Sequence, residues 1–289
     1  MKTALIIPIF NQRKYWFKMF SAIESQSVRP DVVYVALDRQ SQDDLDAITT
    51  ICNSGKCNYI INNFTEIPSY VGKPQSIPDQ GLFLVGHRRN QCIDLAINNG
   101  CECVIMIDGD CVPDIDLVKD HKYVNSLGFA NISNGRRRES KYKWSDQREV
   151  DPKMRSIELF SQGNAFVIHN PDLLKSCSIT WSCNLSVNLM AIKLIKKLNK
   201  LYYGRDEFFN SDFLGSWGGE DSFLGIQAVA CKIIITMINT ELSGIRHIDH
   251  PRPDSKYGDA AFGDHLMSHI EHLNKLQVLY PLLGEFYSF

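Results

Sequence analysis

The chain has 289 residues, of which 44% are hydrophobic and 22% are charged, a composition typical of globular proteins. With a formal net charge of -2, the protein has no overall positive potential that would attract nucleic acid or an anionic membrane, so binding to either partner would need a local basic patch. No apolar run has the length of a membrane span and no secretory signal is recognisable, so we expect no membrane span. The nine cysteines are odd in number, several lie inside apolar runs, and no paired CxxC clusters indicate zinc, so we expect reduced thiols in a cytoplasmic protein.

Strands and helices alternate over the first 115 residues. Short apolar runs predict buried strands at 4–9, 32–37, 59–62 and 103–107. Amphipathic segments predict helices at 11–25, 43–51 and 89–98. This alternation is typical of a doubly wound α/β sheet with mostly parallel strands.

The remainder of the chain has a less regular pattern. Apolar periodicity predicts helices at 185–201, 222–230 and 265–279, and strands within 158–169 and at 233–238. We therefore expect a single domain over 1–289, with a regular half at 1–115 and a second half at 116–289.

A buried strand ends abruptly in two carboxylates, Asp108 and Asp110, which flank Gly109. Carboxylates do not lie in a dry core, so the chain emerges there into a cleft, and ligands of open α/β sheets bind at the carboxyl ends of strands. Aspartates one residue apart can hold a divalent cation that bridges a diphosphate. The alternative is an Asp-Gly turn that binds no ligand.

Polar residues also follow the second strand and precede the third helix. Asp38 can accept a hydrogen bond from a nucleobase imide N–H, or it can cap the next helix or turn. Arg88 and Arg89 are expected just before the helix that leads to the Asp108 strand, where they suit a diphosphate. A solvated helix start is the alternative, although arginine there opposes the helix dipole.

The stretch from Trp217 to Asp221 reads WGGED and opens a helix. Gly218 and Gly219 let the backbone approach a ligand closely. Glu220 and Asp221 then lie at a helix start, where carboxylates are stabilised as anions. One can act as a general base and the other can hold an acceptor hydroxyl. An N-cap beside a packed tryptophan is the alternative.

Two further features lie outside these motifs. His247 and His250 follow the strand at 233–238 and are candidates for a third metal ligand beside the carboxylates. The basic segment 136–148, which also contains Tyr142 and Trp144, could contact nucleic acid, but a solvated loop is the more common structure for such a run.

Taken in order, these motifs resemble those of inverting glycosyltransferases of the GT-A fold. The resemblance is to the family-2 group and to β-1,4-galactosyltransferases and chondroitin polymerases, and it covers most of the chain. It implies an α/β fold with a mixed, mostly parallel central sheet flanked by helices. It also implies that 1–115 binds the nucleotide sugar and that 116–289 binds the acceptor and carries the catalytic base.

The resemblance assigns residues to the donor. IIPIFN resembles the first-strand signature, Asp38 falls where the family binds uracil, and Asp79-x-Gly81 followed by Arg89-Asn90 resembles a nucleotide-contacting stretch. The implied nucleotide-sugar contacts are Pro8, Asn11, Asp38, Arg88, Arg89, Asn90, Asp108, Gly109, Gly163 and Asn164. The family's Asp-Asp-Gly-Ser after the second strand is replaced here by LDRQ, so the ribose contacts are not carried over.

The resemblance also assigns the metal and the catalytic groups. Asp110, as the second aspartate of the DxD motif, would be the direct ligand of Mn²⁺ or Mg²⁺. Ile245-Arg246-His247 resembles the family's metal-binding segment and implies His247 as a further ligand, while Asp108 and His250 are candidates from their own chemistry and position. Gly244 stands where the family has a methionine ligand. WGGED implies that Asp221 is the catalytic base beside Glu220, with Trp217, Gly218 and Gly219 on the acceptor side.

Together with these motifs, the resemblance implies a metal-dependent inverting glycosyltransferase, a hexosyl- or pentosyltransferase for which a UDP-sugar is the expected donor. The default acceptor is a glycan hydroxyl, and a hydroxylated base in modified DNA is the alternative suggested by 136–148. A nucleotidyltransferase would show a glycine-rich, basic loop after the first strand, where FNQ stands instead. A non-catalytic nucleotide-sugar-binding module would not need Asp221.

Overall fold

A computed structural model of the chain describes residues 1–10, 13–66, 84–139, 165–168, 180–211, 219–238, 240 and 242–248. Several sequence predictions lie outside these residues. They concern Asn11, Asp79, Gly81, Gly163, Asn164, Trp217, Gly218, His250, most of the basic segment 136–148 and the helix at 265–279.

The described elements alternate as expected over the first half. The strands are β1 (Thr3–Ile9), β2 (Val32–Asp38), β3 (Tyr59–Phe64), β4 (Cys103–Ile107), β5 (Cys111–Pro113), β6 (Asn131–Gly135), β7 (Arg137–Glu139), β8 (Ala165–Ile168), β9 (Asn184–Asn188), β10 (Ile234–Ile238) and β11 (Ile245–His247). The helices are α1 (Trp16–Glu24), α2 (Gln42–Asn53), α3 (Val85–Asn98), α4 (Leu117–Asn125), α5 (Leu189–Tyr203) and α6 (Gly219–Ala230).

Eight of these strands form one sheet in the order β3-β2-β1-β4-β9-β6-β10-β8. β9 runs antiparallel to both of its neighbours, and β8 runs antiparallel to β10, whereas the other pairs are parallel. The sheet is therefore mixed and mostly parallel, as the sequence predicts. The short strands β5, β11 and β7 form a second sheet in that order.

Helices cover both faces of the large sheet. Along β1, Ala4 and Ile6 pack on the face covered by α3, α5 and α6, while Leu5 and Ile7 pack on the face covered by α1, α2 and α4. Because neighbouring residues of a strand point to opposite faces, a strand covered on both sides is apolar at nearly every position. This explains why the strands appear in the sequence as continuous apolar runs.

The first and third helices begin at residues other than those predicted. α1 begins at Trp16, after a short 3₁₀ helix at Arg13–Tyr15. α3 begins at Val85, so Arg88 and Arg89 lie inside the helix and not before it. Both arginine side chains make ion pairs within the protein. These pairs stabilise the first turn of α3, whose residues have only weak helix propensity.

The segment predicted as a helix at 185–201 is a strand followed by a helix. Residues 184–188 pair with β4 in antiparallel register. The Asn188 side chain then accepts a hydrogen bond from the Ala191 N–H and caps α5. A short apolar run fits either element, and here the open edge of β4 decides for the strand.

Among the residues that the structure describes, no helix combines the length and the apolar character that crossing a bilayer requires.

Candidate functional site

The site lies at the carboxyl edge of the parallel strands. Asp38 is the last residue of β2, and Asp108 directly follows β4. Glu220 lies in the first turn of α6, and its carboxylate pairs with Arg89 in the same region. Ligand sites of open α/β sheets occupy this edge. The structure thus brings together residues that are far apart in the sequence.

Asp38 lies between two guanidinium groups. Arg88 donates to Asp38 Oδ1 through Nε at 3.0 Å and Nη2 at 2.7 Å, and Arg39 donates through Nη2 to Asp38 Oδ2 at 2.9 Å. Arg39 has a φ of 54°, a left-handed backbone that side-chain-bearing residues adopt at a cost and that often accompanies function. The expected base contact of Asp38 therefore involves a carboxylate that two arginines already orient.

Arg88 makes its hydrogen bonds within the protein. Its side chain is 1% exposed, and it also donates to the backbone oxygen of Glu66 at 2.8 Å and to Gln91 Oε1 at 3.1 Å. The structure places it as the partner of Asp38, and its predicted contact with the donor diphosphate stays a prediction.

Arg89 joins the two acidic groups of the site. Its Nη2 donates to Asp108 Oδ1, and its Nη1 donates to Glu220 Oε1 at 3.4 Å. Its guanidinium lies 5.6 Å from the centre of the Phe209 ring, a cation–π arrangement. Among the described residues, nothing accepts a hydrogen bond from its buried Nε. Arg89 therefore offsets the charge of both carboxylates.

Asn90 holds the backbone that supports Arg89. Its Nδ2 donates to the Phe209 carbonyl at 2.8 Å, and its Oδ1 accepts from the Phe209 N–H at 2.8 Å. These bonds fix the ring under Arg89. A direct contact between Asn90 and a nucleotide stays a prediction.

The two aspartates after β4 form a cluster that could hold a metal ion. One ligand atom each from Asp108, Asp110 and Cys111 lie within 4.8 Å of one another. His247 joins them because β11 pairs with β5, which sets His247 opposite Cys111, and His247 Nε2 lies 3.5 Å from Asp110 Oδ2. Of the predicted metal ligands, Asp108 and Asp110 belong to this cluster, His247 lies beside Asp110, and His250 is outside the described residues.

Sequence reasoning missed Cys111 in this cluster. Burial, followed by repulsion from Asp110 and Asp108, raises the pKa of the Cys111 thiol well above its usual value. The group therefore stays a thiol, and it donates a weak hydrogen bond to Asp110 Oδ1 at 3.4 Å. The only sequence signal was its position next to Asp110.

The donor atoms of the cluster suit a hard divalent cation. Carboxylate oxygens and one imidazole nitrogen are compatible with Mn²⁺ or Mg²⁺, whereas a thiolate would favour a softer metal. Although 32% of the Asp108 side chain is exposed, desolvation by the surrounding protein raises its pKa, and Arg89 acts in the opposite direction. A bound cation would favour the ionised form of both aspartates.

The acidic pair at the start of α6 is less readily ionised than its position suggests. Burial and the neighbouring Asp221 raise the pKa of Glu220 to about 8, against the attraction of Arg89. Burial also raises the pKa of Asp221, again against Arg89. A helix start on its own favours the anion, and desolvation acts against it at both carboxyl groups.

Glu220 and Asp221 differ in their surroundings. The Glu220 side chain is 5% exposed and is paired with Arg89. Asp221 is partly exposed, and its Oδ2 accepts from the N–H and the Oγ of Ser182, each at 3.4 Å. Thr180 donates to the Asp221 carbonyl at 2.8 Å. Neither Ser182 nor Thr180 carried a signal in the sequence. Asp221 is thus the more accessible carboxylate.

The chain matches no protein-family model and no curated protein sequence. Solved structures do match it. S. aureus TarS residues 1–349, in complex with UDP-GlcNAc, has a TM-score of 0.58 and 16% identity over 88% of this chain and 60% of that chain. A longer TarS structure has a TM-score of 0.56 and 17% identity over 87% of this chain and 37% of that chain. A mycobacterial protein has a TM-score of 0.53 and 8% identity over 94% of this chain and 74% of that chain.

These likenesses show the fold. The chain shares the α/β architecture of TarS, and it spans less than two thirds of the TarS chains that it matches. The predicted fold class is confirmed.

Proposed function

We propose that the chain is a metal-dependent inverting glycosyltransferase that moves a sugar from a nucleotide sugar to an acceptor hydroxyl. The observation that carries the proposal is the meeting of two groups at one edge of the sheet. One is the Asp108, Asp110 and His247 cluster, and the other is the acidic pair Glu220 and Asp221. Arg89 bridges them. The shared fold with TarS, which was solved with UDP-GlcNAc, supports a UDP-sugar as the donor.

The donor is proposed to lie along the carboxyl ends of β1, β2 and β4. Asp38, oriented by Arg88 and Arg39, accepts the imide N–H of the base. Arg89 lies between the acidic groups, where its positive charge suits a diphosphate. The other proposed donor contacts are those that the motif resemblance implies, at Pro8, Asn11, Arg88, Asn90, Asp108, Gly109, Gly163 and Asn164.

Asp110, Asp108 and His247 are proposed to hold the Mn²⁺ or Mg²⁺ ion, with His250 as a further candidate. When bound there, the cation would offset the negative charge that develops on the diphosphate leaving group. The Asp108 side chain is accessible enough to contact a ligand, since 32% of it is exposed.

Asp221 is proposed as the general base. It takes the proton from the acceptor hydroxyl, whose oxygen forms a bond to the anomeric carbon as the bond to the diphosphate breaks on the opposite face. The configuration of that carbon is thereby inverted. Asp221 fits this role better than Glu220, because it is partly exposed whereas Glu220 is buried against Arg89. Glu220, which is buried, is proposed to orient the acceptor indirectly by fixing the start of α6 against Arg89, and Trp217, Gly218 and Gly219 are proposed to flank the acceptor. A glycan hydroxyl is the proposed acceptor.

The proposal is tested by screening UDP- and GDP-sugars for Mn²⁺-dependent hydrolysis by the purified full chain. We expect one donor to be hydrolysed, and we expect Asp110→Asn to abolish its metal-dependent turnover while the far-UV circular dichroism is unchanged. Asp43→Asn, which removes a carboxylate of the same size from the exposed start of α2, is the matched control and should retain full turnover. No hydrolysis of any donor, or full turnover in Asp110→Asn, would contradict the proposal.

A further inference from the structure

A cluster of buried polar side chains lies between α4 and the large sheet. Its members come from α4, β6 and β9, and each is at most 4% exposed: His121, Asn125, Ser133, Asn184 and Ser186. They bond to one another at 2.5–3.3 Å. Buried polar groups are costly unless every one of them is paired, so this cluster specifies one arrangement of the three elements.

Only one orientation of the Asn184 side-chain amide satisfies all of its hydrogen bonds. Its Nδ2 lies 3.0 Å from the carbonyl oxygen of Arg136 and 3.2 Å from that of Ser243. Carbonyl oxygens only accept, so the amide nitrogen must face them, and Oδ1 must face His121 Nε2 at 2.8 Å. His121 therefore carries its proton on Nε2, and its Nδ1 accepts from a hydroxyl of Ser133 or Ser186.

Asn184 joins this cluster to the strands of the second sheet. Arg136 directly precedes β7, and Ser243 lies two residues before β11. The Arg136 carbonyl also accepts the Ile245 N–H at 2.9 Å. One amide group thus holds the starting points of two parallel strands, and β11 carries His247 two residues after Ile245.

Position 135 must be glycine, because the Asn184 side chain leaves no room for a Cβ atom there. A Cβ atom at this position would lie 2.7 Å from Asn184 Cγ, inside van der Waals contact. Asn184 packs against the last residue of β6, and any larger residue there displaces the amide. The close approach shows that the placement of Asn184 is tightly constrained.

We propose that Asn184, oriented by His121, is a positioning residue for the metal cluster. By holding the starts of β7 and β11, it sets where His247 lies relative to Asp110. The inference rests on the proposed function in that it takes Asp110 and His247 as metal ligands. Outer partners that orient a ligand typically change metal affinity about 10–100-fold when removed.

The test is the affinity of the full chain for Mn²⁺ in the presence of UDP, read from the electron paramagnetic resonance signal of free Mn²⁺. We expect Asn184→Ala to weaken Mn²⁺ binding by about 10-fold or more. Because this variant also removes one donor from the carbonyls of Arg136 and Ser243 and lowers stability, Gly135→Ala is measured beside it. Gly135→Ala keeps the amide and displaces it, and we expect the same direction of change.

Thr236→Val is the matched control. Thr236 lies on β10 of the large sheet and donates to Asn131 Oδ1 at 2.7 Å in the same buried region. We expect a lower melting temperature with wild-type Mn²⁺ affinity.

The outcomes separate the two proposals. A less stable Asn184→Ala with wild-type Mn²⁺ affinity overturns the positioning role and leaves the proposed function standing. An equal loss of affinity in Thr236→Val also overturns the positioning role, because the effect would then be a general loss of packing. A wild-type chain that binds no Mn²⁺ overturns both.

Discussion

At the scale of single residues, two adjacent carboxylates have different chemistry because their neighbours differ. Glu220 is enclosed and paired with Arg89, and burial raises its pKa to about 8. Asp221 is partly exposed and accepts hydrogen bonds from Ser182. A base must reach the proton that it removes, so accessibility supports Asp221 as the proposed base.

We expect Asp221→Asn to lower turnover by at least about 10²-fold with little change in donor affinity, since a general base acts mainly in the transition state. Turnover is measured with saturating donor, and donor affinity by calorimetry with UDP and Mn²⁺. Glu220→Gln should instead raise the KM for the acceptor. Near-normal turnover in Asp221→Asn would place the base elsewhere.

At the scale of elements, the boundary between β9 and α5 depends on one side chain. Asn188 accepts the Ala191 N–H at 3.0 Å and the Asn131 N–H at 3.3 Å, and it donates to the Phe129 carbonyl at 2.5 Å. It therefore caps the helix and also satisfies the backbone next to β6. An ordinary helix cap does only the first of these.

We expect Asn188→Ala to cost more than the ~1 kcal/mol of a typical N-cap, because two further backbone groups lose their partner. Ser41→Ala is the control, since Ser41 caps α2 at an exposed position by accepting the Asp44 N–H at 3.2 Å. The free energy of unfolding is measured in urea for both. Equal losses would show that the additional bonds of Asn188 contribute nothing to stability.

At the scale of the whole molecule, stability is linked to pH through His121, which lies between α4 and the sheet. Burial lowers its pKa to about 4, although a hydrogen bond with Asn184 acts in the opposite direction. Between about pH 4 and the ordinary histidine pKa of about 6.5, the unfolded chain binds a proton that the folded chain does not. The free energy of unfolding therefore falls as the pH falls through this range.

We expect this contribution to reach at most about 1.4 kcal/mol per pH unit. His121→Gln keeps an N–H donor for Asn184 but does not titrate, so its stability should vary less with pH between about 4 and 6.5. Urea unfolding across this range measures both proteins. His87, whose pKa is also lowered to about 4, is present in both and cancels in the comparison. If the free energy of unfolding varied with pH in the same way in both proteins, His121 would not be the source of the pH dependence.

The sequence by itself determined the features that depend on local patterns. Continuous apolar runs indicated strands covered on both faces, and the buried strand before Asp108 is found as predicted. The change from apolar to acidic residues at Asp108 and the WGGED stretch that opens a helix at Glu220 marked the two parts of the candidate site. These signals are local because burial and charge act on each residue through its immediate surroundings.

Only the tertiary structure decided which of these parts meet. The pairing of β11 with β5 sets His247 beside Asp110, and Arg89 reaches Glu220 across 131 positions of the sequence. Residues 185–188 were predicted as helix but form part of β9, because they pair with the distant strand β4. The hydrogen bonds from Asn184 to the second sheet also depend on partners that are distant in the chain. A short apolar run fits a strand or a helix equally well. Hydrogen-bond partners that are far apart in the sequence leave no local pattern, so only the folded structure determines which residues pair.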